Sequence, residues 1–144
     1  MQIYKEEREA LKDSILENSF LKYRDEPDKA IRAYLRYVLN IVNNHPIWRK
    51  VFIEKEHLEL KISRSSEEEI KRICRDNVET IIPFFEEWAD AGLLIDKPAK
   101  ILAETTQAVL SLIHFRNEIE NDDFPEIMDI FINLLAENIV KKND

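Results

Sequence analysis

The sequence predicts an all-α fold, about six helices packed as an antiparallel bundle. Three observations carry this. The 144 residues include one glycine and five prolines, too few turn residues for a many-stranded sheet. Apolar residues recur at helical spacing over long stretches, and no segment reads as a strand. The prolines fall at the edges of those stretches, where a helix starts or stops. Length and a 44% apolar content suit one domain, residues 1–144, with a real core.

The elements follow in order. A charged first helix is expected from about Gln2 to Tyr23, with a narrow stripe at Tyr4, Leu11 and Ile15. The stretch "RDEPDKA" then offers Asp25 as N-cap and Pro27 in the first turn of a second helix. That helix runs to about Asn44, because the residue before Pro46 is biased away from helix. A short third helix starts near Ile47 and turns Trp48, Val51, Phe52 and Leu58 inward. "KISRSSEEE" supplies a capping box, Ser65 with Glu68 or Ser66 with Glu69, for a fourth helix from about Glu67 to Ala91. Gly92 follows as a left-handed C-terminal residue. Asp96 and Pro98 open a fifth helix, and Asp123 and Pro125 a sixth.

On the fourth helix Ile70, Ile73, Cys74, Val78, Ile81, Phe84, Phe85 and Trp88 share one side. Pro83 falls on the polar side, where water can satisfy the Glu79 carbonyl that loses its N–H partner. Asn77 lies on the apolar side. It is either a core amide bonded to another helix or a polar contact in an apolar pocket. Tyr34 and Tyr37 lie toward one edge of the second helix, each with an aromatic body and a hydroxyl, as core-edge packing or as pocket wall.

The last two helices are apolar over more of their surface than a covering helix needs. On the fifth, Lys100, Glu104, Gln107, Ser111, His114 and Glu118 form one polar strip about 80° wide. On the sixth, apolar residues from Ile127 to Ile139 cover an arc of about 200°. A second buried face is expected, a homodimer in which two helices from each chain make a four-helix bundle. Its interface residues are Leu102, Val109, Leu112, Ile113, Ile127, Phe131, Leu134 and Leu135. The alternative is a monomer with a well-wrapped fifth helix.

Several function classes lack their signatures. Twenty-one Lys and Arg against 29 Asp and Glu give a net charge of −8, without the basic footprint of a nucleic-acid binder. No apolar run approaches the roughly 18 residues of a membrane span. No signal peptide is visible and the single cysteine, Cys74, forms no intramolecular disulfide, so a cytoplasmic location is expected. No HExxH, phosphate-binding glycine loop or nucleophile elbow is present. Glu54 and His57 have the i, i+3 spacing of a di-metal carboxylate site, but no second Glu-x-x-His accompanies them. His45 lies at a turn and His114 at the edge of the polar strip. The expectation is a protein that is not an enzyme and holds no metal or cofactor.

The order of these features resembles the C-terminal regulatory domain of TetR-family transcriptional regulators. "DEPDKAIRAYLRYVLNIVNNHP" looks like the family helix that follows an acidic-proline turn and ends at an Asn-His-Pro break. "IIPFFEEWADAGLLIDKPAKILAETTQAVLSLIHF" resembles its long glycine-terminated helix, short apolar link and next helix. The helix after "NDDFPEI" completes the pair that dimerises in that family. The resemblance covers nearly the whole chain and rests on no invariant motif. Family members carry an N-terminal helix-turn-helix domain, and nothing here matches it. DNA would be bound only through such a domain, which this sequence does not contain. The resemblance implies a small apolar effector in a helical pocket, and by position its wall would be Tyr34, Tyr37, Trp48, Phe52, Asn77, Ile81, Phe84, Phe85 and Trp88. A helical protein-interaction module with no small ligand is the competing reading.

Overall fold

The protein is all-α in a computed structural model, which describes residues 2–44, 64–110, 112 and 123–142. Five helices lie in these segments: α1 (Gln2–Glu17), α2 (Pro27–Asn44), α3 (Arg64–Asp90), α4 (Ala99–Leu110) and α5 (Phe124–Ile139). The expected short helix around Trp48 and Phe52 lies outside the described residues. The principal packings are α3 on α4 and α2 on α5, and α2 also touches α1 and α4. Among the described residues no helix is long and apolar enough to cross a membrane.

The first helix stops six residues earlier than expected, at Glu17 rather than Tyr23. Local side-chain bonds compete with helix continuation there. The Ser19 hydroxyl donates to the Ile15 carbonyl at 2.6 Å, and the Asn18 amide donates to the Ser14 carbonyl at 2.7 Å. The Leu21 N–H then reaches back to the Leu16 carbonyl at 2.9 Å. The chain turns, and Phe20 enters the core with no exposed surface.

Pro27 opens α2 as its first residue, suited by its fixed φ. The cap position is Glu26 rather than Asp25, since the Ala30 N–H donates to the Glu26 carbonyl at 2.9 Å. Helix α3 begins at Arg64, so Ser65 and Ser66 lie inside it rather than at its cap. It passes through Pro83, which is exposed as the wheel required. Its end is a Schellman motif. Gly92 has φ +73°, its N–H donates to Ala89 O at 3.0 Å, and the Leu93 N–H donates to Trp88 O at 3.0 Å. Helix α4 starts one residue after Pro98, whose carbonyl accepts from Leu102 N at 3.1 Å. Pro98 therefore stands before the first turn, and Asp96 is not the cap. Helix α5 has Asp123 at its cap position and Pro125 in the first turn. Asp123 makes no side-chain cap bond, because its backbone is already helical at φ −89° and ψ −21°.

Strand-like pairing occurs once among the described residues. Leu94 and Val140 form an isolated antiparallel bridge, with Ile95 N donating to Ile139 O and Lys141 N to Leu93 O, both at 2.9 Å. This joins the α3–α4 link to the residues just after α5. On its other flank, α5 is tied to α2 by polar contacts. Arg32 donates to Asn133 at 3.0 Å and is steadied by Asp28 of its own helix at 3.1 Å, and Arg36 donates to Asp129 at 2.9 Å.

Candidate functional site

The core gathers around one ring. Phe20 lies 5.0 Å from Phe84 in a stacked arrangement, 5.1 Å from Tyr34, 5.5 Å from Trp88 and 6.0 Å from Phe85, centroid to centroid. Phe85 and Trp88 meet edge to face at 5.2 Å. These spacings lie in the range where aromatic quadrupoles attract. Three segments supply the rings: the α1–α2 turn, one face of α2, and the last two turns of α3.

Polar atoms in and beside the cluster are matched within the chain. The Tyr34 hydroxyl donates to Gln107 Oε1 of α4 at 2.8 Å, with both residues buried. The Trp88 indole N–H donates to the Arg24 carbonyl at 2.6 Å. Tyr37, one turn beyond Tyr34, is half-buried and shares a hydrogen bond of 2.7 Å with the Ser14 hydroxyl of α1. Gln107 therefore departs from the polar strip the wheel assigned it. It points inward because the Tyr34 hydroxyl needs a buried partner. Thr106 beside it is also buried and satisfies its hydroxyl on the Leu102 carbonyl at 2.9 Å.

The residues expected as pocket wall divide in two. Tyr34, Ile81, Phe85 and Trp88 are closed off in the core. Tyr37, Asn77 and Phe84 are half-buried. Asn77 and Phe84 are seven residues apart, so they lie on nearly the same line of α3, two turns from each other. Both are partly exposed, and of the two Phe84 is in the aromatic cluster. Trp48 and Phe52 lie outside the described residues.

At the α3 end of the cluster, Arg24 grips Glu87 with two nitrogens, at 3.2 and 3.0 Å. This bidentate bond holds the exposed Glu87 carboxyl below the usual carboxylate range and raises Arg24 further. Arg24 thus holds two groups in one turn of α3, its backbone carbonyl on Trp88 and its side chain on Glu87.

The second candidate region is the outer face of α4 and α5. Ile130, Phe131 and Leu134 are 52%, 44% and 51% exposed, and Ile101 on α4 is 50% exposed. Ile127, Leu135, Val109 and Leu112 are half-buried beside them. Leu102, expected at an interface, is instead buried within the chain at 4% exposure and cannot face a partner. It sits on the inner side of α4 with Ala103, Thr106 and Leu110. Ile113 lies outside the described residues. On α4 the uncharged row Ile101, Thr105 and Ala108 is separate from the charged Lys100 and Glu104, and all five are exposed.

Among the described residues no group of three or more His, Cys, Asp or Glu is placed to hold a metal ion. His45, Glu54, His57 and His114 lie outside them. Phe20, Arg24 and Gln107 were missed by sequence reasoning. A signal existed for Phe20 alone, since it sits about 140° round the wheel from Ile15 and cannot share its stripe. No family model, curated protein or solved structure matches the chain.

Proposed function

We propose that this chain is a dimerising, small-molecule-sensing regulatory domain of the TetR-like type. The exposed apolar face of the final helix carries the reading. Three large side chains, Ile130, Phe131 and Leu134, are half in water on a helix whose opposite face is fully packed. Such a patch supports reading this face as an association surface. A second copy burying it forms the homodimer, with the half-buried Ile127 and Leu135 at its margin.

The effector is an apolar small molecule entering along the Asn77–Phe84 flank, where an aromatic surface lies beside an amide. That composition suits a ligand site. Its binding shifts the placement of α1 through Tyr37 and Ser14, and so governs a DNA-binding domain attached ahead of α1. A ligand moves that equilibrium only by its differential affinity for the two placements.

Native mass spectrometry of the chain is the direct test. A dimer is expected, and Phe131→Glu should yield monomers. Thermal shift against a panel of apolar aromatic and aliphatic compounds should find a stabilising ligand, with the response altered by Asn77→Ala or Trp88→Ala. A wild-type monomer would remove the dimer reading, and full ligand response in both variants would remove the pocket assignment.

A second reading has its own support. The Tyr34 and Trp88 polar atoms are already satisfied inside the chain. That favours a filled core and an interaction module whose apolar face takes a partner helix. In that case Phe131→Glu abolishes binding to a different protein and leaves the mass of the purified chain unchanged.

A further inference from the structure

Leu93 belongs to two hydrogen-bonded structures at once. Its N–H closes the cap of α3 on the Trp88 carbonyl at 3.0 Å, and its carbonyl accepts from Lys141 N at 2.9 Å. One residue thus serves the end of α3 with its donor and the tail of α5 with its acceptor. Trp88 also faces two ways. Its carbonyl takes the Leu93 N–H, and its indole N–H donates to the Arg24 carbonyl of the α1–α2 turn at 2.6 Å. Three bonds therefore run in series, from Lys141 through Leu93 and Trp88 to Arg24. Another bond, Ile95 N to Ile139 O at 2.9 Å, holds the α5 end of the series in place.

A series of contacts couples its ends when a link within it has two states that both ends bias. The cap of α3 is such a link. Closed, it has Gly92 at φ +73° and the Leu93 N–H on Trp88 O. Open, the last turn of α3 frays, and Trp88 lies in that turn. Trp88, Leu94 and Ile139 are all buried, so the middle of the series is packed core. Lys141 is exposed, which makes its bond the outermost of the series.

We infer that the clasp at the end of α5 is a latch on the α1–α2 turn, acting through the cap of α3. Loss of the Lys141 bond frees the Leu93 carbonyl, loosens the cap and weakens the hold of Trp88 on Arg24. Anything that steadies the end of α5 tightens the base of α1, and linkage makes the effect run both ways. The latch is a property of the single chain. It acts whether the outer face of α5 is covered by a second copy, by another protein or by water, and it needs no effector.

The test is hydrogen exchange on the full chain, followed by NMR. Each rate is taken relative to the Leu35 amide in the buried middle of α2, which reports opening of the whole fold. Lys141→Pro removes the outermost donor. Val140 before it already has φ −80° and ψ 132°, the backbone that a following proline favours. The Leu93 amide and the Trp88 indole N–H should then exchange about fivefold faster, the net worth of one hydrogen bond. Lys142→Pro keeps the Lys141 donor and should leave both rates unchanged. In the other direction, Trp88→Phe should speed exchange of the Lys141 and Ile95 amides. If Lys141→Pro speeds Ile95 alone and leaves the Trp88 indole unmoved, the tail frays by itself and the latch is overturned. A Lys141 amide that moves no more than Leu35 in Trp88→Phe has the same consequence. So does equal acceleration by both proline variants, which would assign the effect to a stiffened tail rather than to the Lys141 bond.

Discussion

Removing the Tyr34 hydroxyl tests the join between α2 and α4 most directly. In Tyr34→Phe the ring stays against Phe20, 5.1 Å away, and the donor to Gln107 Oε1 is lost. Tyr34 is 3% and Gln107 7% exposed, so water does not readily replace the donor. A neutral hydrogen bond contributes about 1 kcal/mol net, and a buried acceptor left unpaired costs about 1–3 kcal/mol. A loss of about 1.5 kcal/mol is expected for Tyr34→Phe. Gln107→Leu takes this acceptor from the hydroxyl instead, and its gain in apolar contact offsets part of a similar loss. With both replaced, no polar group of the pair remains, and the double variant should stay within about 0.5 kcal/mol of wild type. The coupling energy is then about 1.5–2 kcal/mol, well above the roughly 0.3–0.5 kcal/mol scatter of independent sites. Urea unfolding measures it, at one fixed chain concentration because a dimer adds a concentration term. Additive single variants would refute the reasoning, and would return Gln107 to the solvent strip where a helical wheel puts it.

Three further outcomes follow from the geometry. Gly92→Ala meets no atom within 4 Å at the new Cβ, so its cost is the left-handed backbone alone, about 1–2 kcal/mol. Gly92→Asn should cost less, and a neutral or stabilising alanine in thermal unfolding would contradict φ +73°. The lowered Glu87 carboxyl contributes stability that is fully present above the ordinary carboxylate range and is lost as pH falls through its lowered pKa. Glu87→Gln should therefore flatten the acid limb of a stability profile below about pH 4.5 and leave its neutral shape unchanged. Trp88→Phe loses the bond to the Arg24 carbonyl and part of a fully buried ring, and should cost about 2–4 kcal/mol in urea titration. A loss below about 1 kcal/mol there would mean that the α1–α2 turn does not depend on the indole.

What the sequence discloses depends on whether the cause is local. Gly92 could be placed at the end of α3 because a left-handed residue after a long apolar stripe is set by the backbone alone. Pro27 and Pro125 mark helix starts for the same reason. The caps slipped by a residue or more at Asp25 and Asp96, where several acceptors compete and the choice depends on how the neighbouring helix enters. Phe20 shows a larger difficulty. Its helix ends because Asn18 and Ser19 turn their side chains onto the backbone, and that conformation prevails only with a core waiting for the ring. Gln107 could not be recognised as buried from its own helix, since its reason for facing inward is a hydroxyl 73 residues away. The candidate site was legible in the same proportion. The face of α3 carrying Asn77, Ile81, Phe84, Phe85 and Trp88 was read correctly as one side. Which of those side chains remain accessible depends on Phe20, which periodicity had assigned to the wrong element.

The backbone bonds between Leu93 and Lys141, and between Ile95 and Ile139, join positions 48 and 44 residues apart, with α4 and nearly all of α5 lying between them. That closure cannot begin during synthesis until Lys141 has left the ribosome. Helices α1 to α3, which with the α1–α2 turn supply every ring of the aromatic cluster, can assemble while the rest is still being made. The outer face of α4 and α5 cannot be aligned so early, because the end of α5 has nothing to fasten to until its last residues arrive. A nascent chain therefore carries the exposed Ile130, Phe131 and Leu134 on a helix not yet fastened at its end.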